Sequence, residues 1–486
     1  RAMVGLLGSL VQLDKAGLLD CILYLSGVSG STWCMASLYQ EPNWSTKLET
    51  VKDQIIKRLT GPGVIWGDSC KTLKEYYDGK DKFSLTDVWA VLVITEYVKE
   101  IDKCKLSDQR DQHNEDPFPI YTVTDKQYKQ NSWFEISPHE AGYSLTGAFV
   151  GTSSFGSQFD NGSNKNPEPE MDMLYLQALC GSALADGHEN IKFIWQKIKG
   201  EAAFQDSLLH KVDTPPAEKG YQVLMDLVDM NLAVLNGKEP SAFEQSIRTT
   251  LNELGGGKKL ICTTEKLNLA DKQAAKLYMK QYTEDACNNL SKPLCICFTE
   301  VWIKICKCMA QWVWGRKYDF LHNMDDKTMP STLLKSERRD YEDAGLLLNS
   351  PYFSMLREER NIDLIISLDF SEGNPFMTVR GAADMCKKLK IPFPEVNIPS
   401  EDVEKPKDFY VFKGKNAPTV IHIPLFNVVN CGDNIEAWRK NYRTVQGSYS
   451  AEMITDLMDV AGKNISNNRE KLKEQIQAVI EQKLHK

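Results

Sequence analysis

Apolar residues recur at helical spacing through AMVGLLGSLVQLDKA (2–16), and the pattern stops at Gly17, a residue suited to the left-handed turn that ends a helix. The next apolar run, CILYLS, is continuous and predicts a buried strand, and STWCMASLY returns to a helical pattern. Between that strand and the second helix the chain puts Gly27, Ser29, Gly30 and Ser31 into one abrupt turn. The alternation returns late: IDLIISLDF (362–370) predicts a strand, NPFMTVRGAADMCKKLK (374–390) a helix and PTVIHIPLF (418–426) a strand. Continuous apolar strands arise where helices cover both faces of a sheet, so the class is α/β with a central, mostly parallel sheet. Both ends of the chain are expected to build that one sheet.

The organisation expected from this pattern is a single domain over 1–486. Its sheet core is expected from 1–160 and 340–440, and a more helical, charged region at 160–340 is expected to be an inserted cap. FDNGSNKNPEPEMD (159–172) and LNGKEPS (235–241) read as surface links. The 450–486 segment is expected to be helical and to end in NNREKLKEQIQAVIEQKLHK, where Leu472, Ile476, Val479, Ile480 and Leu484 form one stripe. Docking on the domain is the simplest use of that stripe. VWAVLVITEYV (88–98) carries Glu96 and is far short of the roughly 20 residues that a membrane span needs.

Composition narrows the function. A chain of 486 residues, 42% hydrophobic and 26% charged, is that of a folded protein. Its net charge of −8 argues against nucleic acid as a partner, because phosphate contacts need a basic surface. Thirteen cysteines without a framework point to reduced thiols and a cytosolic setting, and Arg1 reads as an internal position of a longer protein. Cys295, Cys297, Cys306 and Cys308 are spaced as two C-x-C pairs inside an apolar helical segment, which suits core packing better than zinc. No metal and no cofactor are expected.

A buried strand running through G-V-S-G-S into a helix has the layout of a nucleophile elbow: the turn presents the Ser29 hydroxyl at the start of the helix. There the Gly30 N–H and the helix dipole are placed to stabilise an oxyanion. Serine needs a base, and two arrangements compete. One is a triad of Ser29, Asp369 and His422, although His422 sits within an apolar strand. The other is a dyad in which Asp343 of YEDAGLLLNSPYF accepts the proton, its affinity raised by burial.

The set RAM, LDCILYLSGVSGSTW, WFEISPHEAGYSLTGAFV, FGSQF, DAGLLLNSPYF, DLIISLDFS, KIPFPEV and IPLFNVVNCGDNIEAW resembles the catalytic domain of group IV cytosolic phospholipases A2, with its patatin-like fold. It is most similar to the gamma type, which lacks a C2 domain. The resemblance implies Ser29 as nucleophile, Asp343 as base and Arg1 as the ligand of the substrate phosphate, with Arg360 as a second arginine near the head group. It also implies a glycine-rich run ahead of Arg1 that completes the oxyanion hole; this sequence starts after it. The implied activity is calcium-independent hydrolysis of glycerophospholipid acyl esters, with lysophospholipase and transacylase side reactions. The partners implied are phospholipid and lysophospholipid substrates and an intracellular membrane surface, with a cytoplasmic protein held peripherally on membranes such as the endoplasmic reticulum. GPGVIWGD, with Val64, Ile65 and Trp66, is one candidate for membrane contact. The rival readings are a lipid-binding scaffold that has kept the fold without turnover, and a carboxylesterase using the triad.

Overall fold

The computed structural model describes the chain apart from residues 130, 183–187, 210–214, 256–266, 291–296 and 445. Helix α1 (Ala2–Lys15) ends where the pattern stops, with Gly17 at φ 70°. It is buried around most of its circumference, which makes it an interior helix rather than a surface one. It crosses the helix Ala451–Ser466 at very short range: a Cβ on Gly8 would lie 2.6 Å from the Met458 carbonyl oxygen. Strand β1 (Tyr24–Gly27) is shorter than expected because Leu19–Cys21 forms a 3-10 turn. Helix α2 (Gly30–Leu38) follows at once.

The middle of the chain holds β2 (Phe118–Asp125), β3 (Trp133–Ile136), β4 (Glu140–Tyr143), β5 (Ala148–Gly151), β6 (Gln158–Asp160) and β7 (Ser163–Asn166). Later come β8 (Arg316–Tyr318), β9 (Arg338–Asp343), β10 (Leu364–Asp369), β11 (Tyr410–Phe412) and β12 (Thr419–Pro424). A seven-stranded sheet runs β5-β4-β3-β2-β9-β8, with β1 also paired to β2; β10-β12-β11 forms a separate three-stranded sheet.

The α/β class stands, but two details of the expectation are corrected. The only parallel pairs described are β1 with β2 and β10 with β12; β2 runs antiparallel to β3 and β9, and β3, β4 and β5 are antiparallel in turn. The reason is connection length: β3, β4 and β5 are joined by a few residues, and only antiparallel neighbours can be joined so briefly. The two chain ends also build different sheets. The edges of β1 and β10 that carry no partner strand among the described residues face one cavity of about 350 Å³, lined also by Leu6, Leu10, Val479 and Ile480. The segment at 159–172 begins as a hairpin rather than a link: Asn161 and Gly162, at φ 47° and 78°, turn β6 into β7.

The chain divides into two compact units. One comprises 1–65, 93–183 and 317–486, and the other 66–92 and 184–316. The second is built of helices, among them Trp66–Gly79, Pro215–Leu235, Ser241–Glu253 and Lys272–Leu290. Within the first, Phe134, Tyr143, Phe155 and Tyr341 pack ring against ring around the sheet. Beneath them Arg339 Nε donates to Asp125 Oδ2 at 2.8 Å and the Tyr143 hydroxyl donates to the same oxygen at 2.6 Å. The C-terminal helix Arg469–Leu484 is docked by buried Leu472 and by Ile476 and Val479 along the cavity, while Ile480 borders the cavity half exposed and Leu484 is exposed. No helix among the described residues is long and apolar enough to cross a membrane.

Candidate active site

Ser29 has φ 54° and ψ −125°, a backbone conformation that L-residues rarely adopt. Such a residue costs on the order of 1–3 kcal/mol and persists only where its surroundings hold it. Here the Ser31 N–H donates to the Val28 carbonyl at 3.2 Å, the Thr32 N–H to the Ser29 carbonyl at 2.9 Å, and the Thr122 hydroxyl to the Gly27 carbonyl at 2.7 Å. Gly27 has to be glycine, because a Cβ there would meet Met35 Sδ at 2.7 Å and Ser31 Cβ at 3.2 Å, leaving α2 no room to pass so near the strand. Gly30 backs onto the start of α1, where a Cβ would lie 3.3 Å from Ala2 Cβ. The turn is thus clamped from strand, helix and the neighbouring α1.

Asp343 is the last residue of β9 and opens a 3-10 turn, Ala344–Leu346. It is fully buried, and burial pushes its carboxyl up to about 7. The Ser29 hydroxyl and the Gly345 N–H oppose part of that rise by interacting with the carboxylate. Oδ1 accepts from Gly345 at 2.8 Å, whereas the Ser29 contact falls short of full hydrogen-bond geometry and Oδ2 has no complete partner. A Cβ on Gly345 would sit 3.0 Å from Asp343 Oδ1 and from Asn349 Oδ1 and 3.6 Å from Val28, so the D-A-G turn lies close against the elbow and a side chain there would press on the Asp343 carboxylate. Val28 and Ala344, which flank the serine and the aspartate, lie in one buried apolar cluster with Trp133, Leu348, Tyr352 and Phe353. Two strands of one sheet therefore deliver a half-buried hydroxyl and a buried carboxylate to the same point.

The triad is not assembled in this way. His422 lies inside β12, fully buried, and its Nε2 sits 2.6 Å from the Pro375 carbonyl, to which it donates. That bond leaves Nδ1 as the unprotonated nitrogen, without a partner, and burial holds the ring below its ordinary pKa. Its Nε2 lies 4.0 Å from Asp369 Oδ2, while Asp369 Oδ1 accepts from the Ser371 N–H at 2.9 Å. Both residues serve the turn after β10.

The arginines are heavily engaged. Arg1 donates from Nε to the Phe370 carbonyl and from Nη1 to the Tyr442 carbonyl, each at 2.6 Å, and from Nη2 to the Thr444 hydroxyl at 3.0 Å; Glu372 lies 3.5 Å away. Arg360 forms a two-pronged pair with buried Glu135, 2.9 Å for one prong, and also reaches the Ser354 carbonyl. No local signal announced Glu135 or the 442–444 segment as partners, because both contacts are purely tertiary. Cys306 and Cys308 are buried thiols; Cys295 and the side chain of Cys297 lie outside the described residues. Among the described residues, no three His, Cys, Asp or Glu side chains are grouped to hold a metal ion. Ile65 is exposed, whereas Trp66 is half-buried at the start of its helix.

With the geometry in hand, the chain can be set beside known proteins. Residues 1–223 match the family model described as a lysophospholipase catalytic domain. The human GIVD cytosolic phospholipase A2 structure superposes with a TM-score of 0.65 at 20% identity, covering 99% of this chain and 61% of that one. That likeness concerns the fold, which is the α/β scaffold of a lysophospholipase-type catalytic domain. Mouse cytosolic phospholipase A2 gamma is 34% identical, the match covering 96% of this chain and 83% of that protein, and the human gamma protein is 30% identical over 97% and 86%. The chain belongs to the cytosolic phospholipase A2 family.

Proposed function

We propose that this protein hydrolyses fatty acyl esters of glycerophospholipids with Ser29 as nucleophile and Asp343 as its base. The observation that carries the reading is the strained Ser29 turn set against a buried carboxylate whose proton affinity lies near neutral pH. Ser29 Oγ attacks the ester carbonyl while Asp343 takes the hydroxyl proton; the C–O bond to the glycerol backbone then breaks, and the leaving alkoxide recovers that proton from Asp343 as the lysophospholipid departs. Water then attacks the acyl-serine, gives its proton to Asp343, and the fatty acid leaves as the serine oxygen is reprotonated. The Gly30 N–H, at the first turn of α2, faces the charge that develops on the carbonyl oxygen. Because the dyad supplies both nucleophile and base, the chemistry requires no calcium.

We keep Arg1 as the candidate phosphate ligand, a role in which the phosphate takes the place of Glu372 or Thr444 on its guanidinium. Arg360 is better assigned to neutralising Glu135 than to a head group, since its donors are spent there. The substrates are drawn from an intracellular membrane by a cytoplasmic protein held at its surface.

The test is fatty-acid release from phosphatidylcholine vesicles in excess chelator by wild type, Ser29→Ala and Asp343→Asn. Release by wild type alone supports the dyad. Wild-type protein that binds vesicles yet releases nothing favours the scaffold reading instead.

A further inference from the structure

The helical unit holds a cavity for which the proposed reaction has no use. It measures about 600 Å³, within the usual range of a small-molecule site, and residues of the helices His188–Leu209, Pro215–Leu235, Lys272–Leu290 and Cys297–Gln311 line it. Lys276, Met279, Lys280 and Thr283 stand at i, i+3, i+4 and i+7, so one face of Lys272–Leu290 forms a wall. Buried Trp195 and Met309 add apolar surface from neighbouring helices, and Leu277 borders the cavity 38% exposed. Trp312 follows the helix Cys297–Gln311 at φ 55°, a conformation that glycine ordinarily takes at such an end, and it lines the cavity as well.

Two features of that lining carry chemistry. Asn231 is fully buried; its Nδ2 donates to the Thr283 hydroxyl at 3.1 Å, while its Oδ1 has no hydrogen-bond partner among the described residues. Buried amides are nearly always paired, so one that lines a cavity with an atom left over points to a group that the cavity receives. A hydroxyl, which both donates and accepts, answers that amide whichever way it is turned. The second feature is charge. Among the described residues Lys276 and Lys280 line the cavity with no carboxylate in its wall, and neither is ion-paired, in a chain whose net charge is −8. Such a cationic edge selects for an anion.

We infer that this cavity is a binding site for a single-chain lysophospholipid of net negative charge. Its acyl chain lies against Trp195, Met279, Met309 and Trp312, its phosphate meets Lys276 and Lys280, and its free glycerol hydroxyl pairs with the Asn231 amide. All three parts of the ligand are needed to answer the lining. A fatty acid has the chain and the anion but no hydroxyl beside its head, and a diacyl phospholipid has both of those glycerol hydroxyls esterified. The inference rests on the cavity alone and holds with or without the proposed hydrolysis.

The experiment uses the Ser29→Ala chain, so that no lipid is turned over, and a lysophosphatidic acid whose acyl chain ends in a diazirine, kept below its micelle concentration. Irradiation is expected to label peptides carrying Trp195, Met279, Met309 or Trp312, read by mass spectrometry, and titration calorimetry should show a saturable step. Asn231→Leu should weaken that step about tenfold, and so should Lys276→Glu combined with Lys280→Glu. The analogue lacking the free hydroxyl should bind the parent about tenfold more weakly yet lose nothing further in Asn231→Leu, a pattern that a purely structural asparagine would not give. Oleate and glycerol phosphate should compete poorly. If Asn231→Leu fails to fold, the lysine pair, at half-buried and exposed positions, decides. Labelling confined to peptides outside the cavity, or a binding step unchanged in the variants that fold, overturns the inference and leaves the Asn231 amide to water. Lysolipid held at Ser29 labels other peptides and is untouched by these variants, and fatty-acid release by wild type decides the hydrolase reading separately.

Discussion

In the proposed reaction Asp343 couples the chemistry to the stability of the fold. As a base it must be ionised, so kcat/KM for ester hydrolysis should rise with pH along a limb centred near 7, the value to which burial pushes it. The same shift acts on stability with the opposite sense. A carboxyl whose folded pKa lies above its unfolded value binds its proton more tightly when folded, so stability is full below the unfolded pKa and is lost as pH rises through about 7. Asparagine keeps the acceptor for Gly345 without the charge. Asp343→Asn should therefore melt higher than wild type at pH 8, by up to roughly 3–4 kcal/mol in stability, with the gap closing towards pH 4. Equal melting points across that range would mean that the carboxylate is not desolvated in solution. Ser29 carries a separate cost, its φ of 54°. Ser29→Gly should be inactive yet more stable than Ser29→Ala by about 1 kcal/mol in denaturant titration, because alanine inherits the strain and glycine does not.

At the scale of elements, what holds the site is close passage between backbones and one buried charge network. Gly8 lets α1 touch the helix Ala451–Ser466, and α1 in turn backs the Gly30 side of the elbow. Gly8→Leu must push the two helices apart, and a loss of about 1–3 kcal/mol or more in thermal unfolding is expected, with activity falling alongside. Arg339→Met removes the cation paired with Asp125 beneath the sheet and should cost about 3–5 kcal/mol, since it leaves a buried carboxylate with the Tyr143 hydroxyl and the Gln127 N–H but no opposing charge. These elements also mark how far the sequence could be read. The strand–turn–helix around Ser29 was legible because its cause is local: a continuous apolar run, then glycines where the backbone must pass close. Its proposed partner Asp343 was legible as a candidate only, since what sets this D-A-G triplet apart is its burial beside the elbow, which is a tertiary fact. The sheet was misjudged for a different reason. The strands that were read, CILYLS, IDLIISLDF and PTVIHIPLF, do lie in the two parallel pairs, whereas the antiparallel neighbours β3, β4 and β5, joined by short links, come from a stretch that was not read as strands. Asn161-Gly162 was a turn signal available in the sequence and passed over among the glycines and prolines around it.

At the scale of the whole molecule the proposed reaction leaves open the fate of the acyl group, because a Ser–Asp dyad does not dictate which hydroxyl attacks an acyl-enzyme. Water and the free hydroxyl of a lysophospholipid present the same chemistry to Asp343: each yields a proton to the carboxylate as its oxygen attacks, and each releases Ser29. Which one wins depends on local supply. If the protein works at a membrane surface as proposed, its site holds lysophospholipid at high effective concentration after every first turnover, so the second half-reaction should divide between the two acceptors. Adding lysophosphatidylcholine with isotopically marked head group to a phosphatidylcholine assay in excess chelator should therefore yield marked diacyl product at the expense of free fatty acid, in proportion to the lysolipid added. Total consumption of the acyl donor should stay nearly constant, because formation of the acyl-enzyme precedes the choice. The readout is mass-spectrometric, and Ser29→Ala and Asp343→Asn should abolish both products together. If the marked diacyl lipid never forms while fatty acid is released, the deacylation step excludes alcohols larger than water, and the mouth of the site must close on the acyl-enzyme before the second attack.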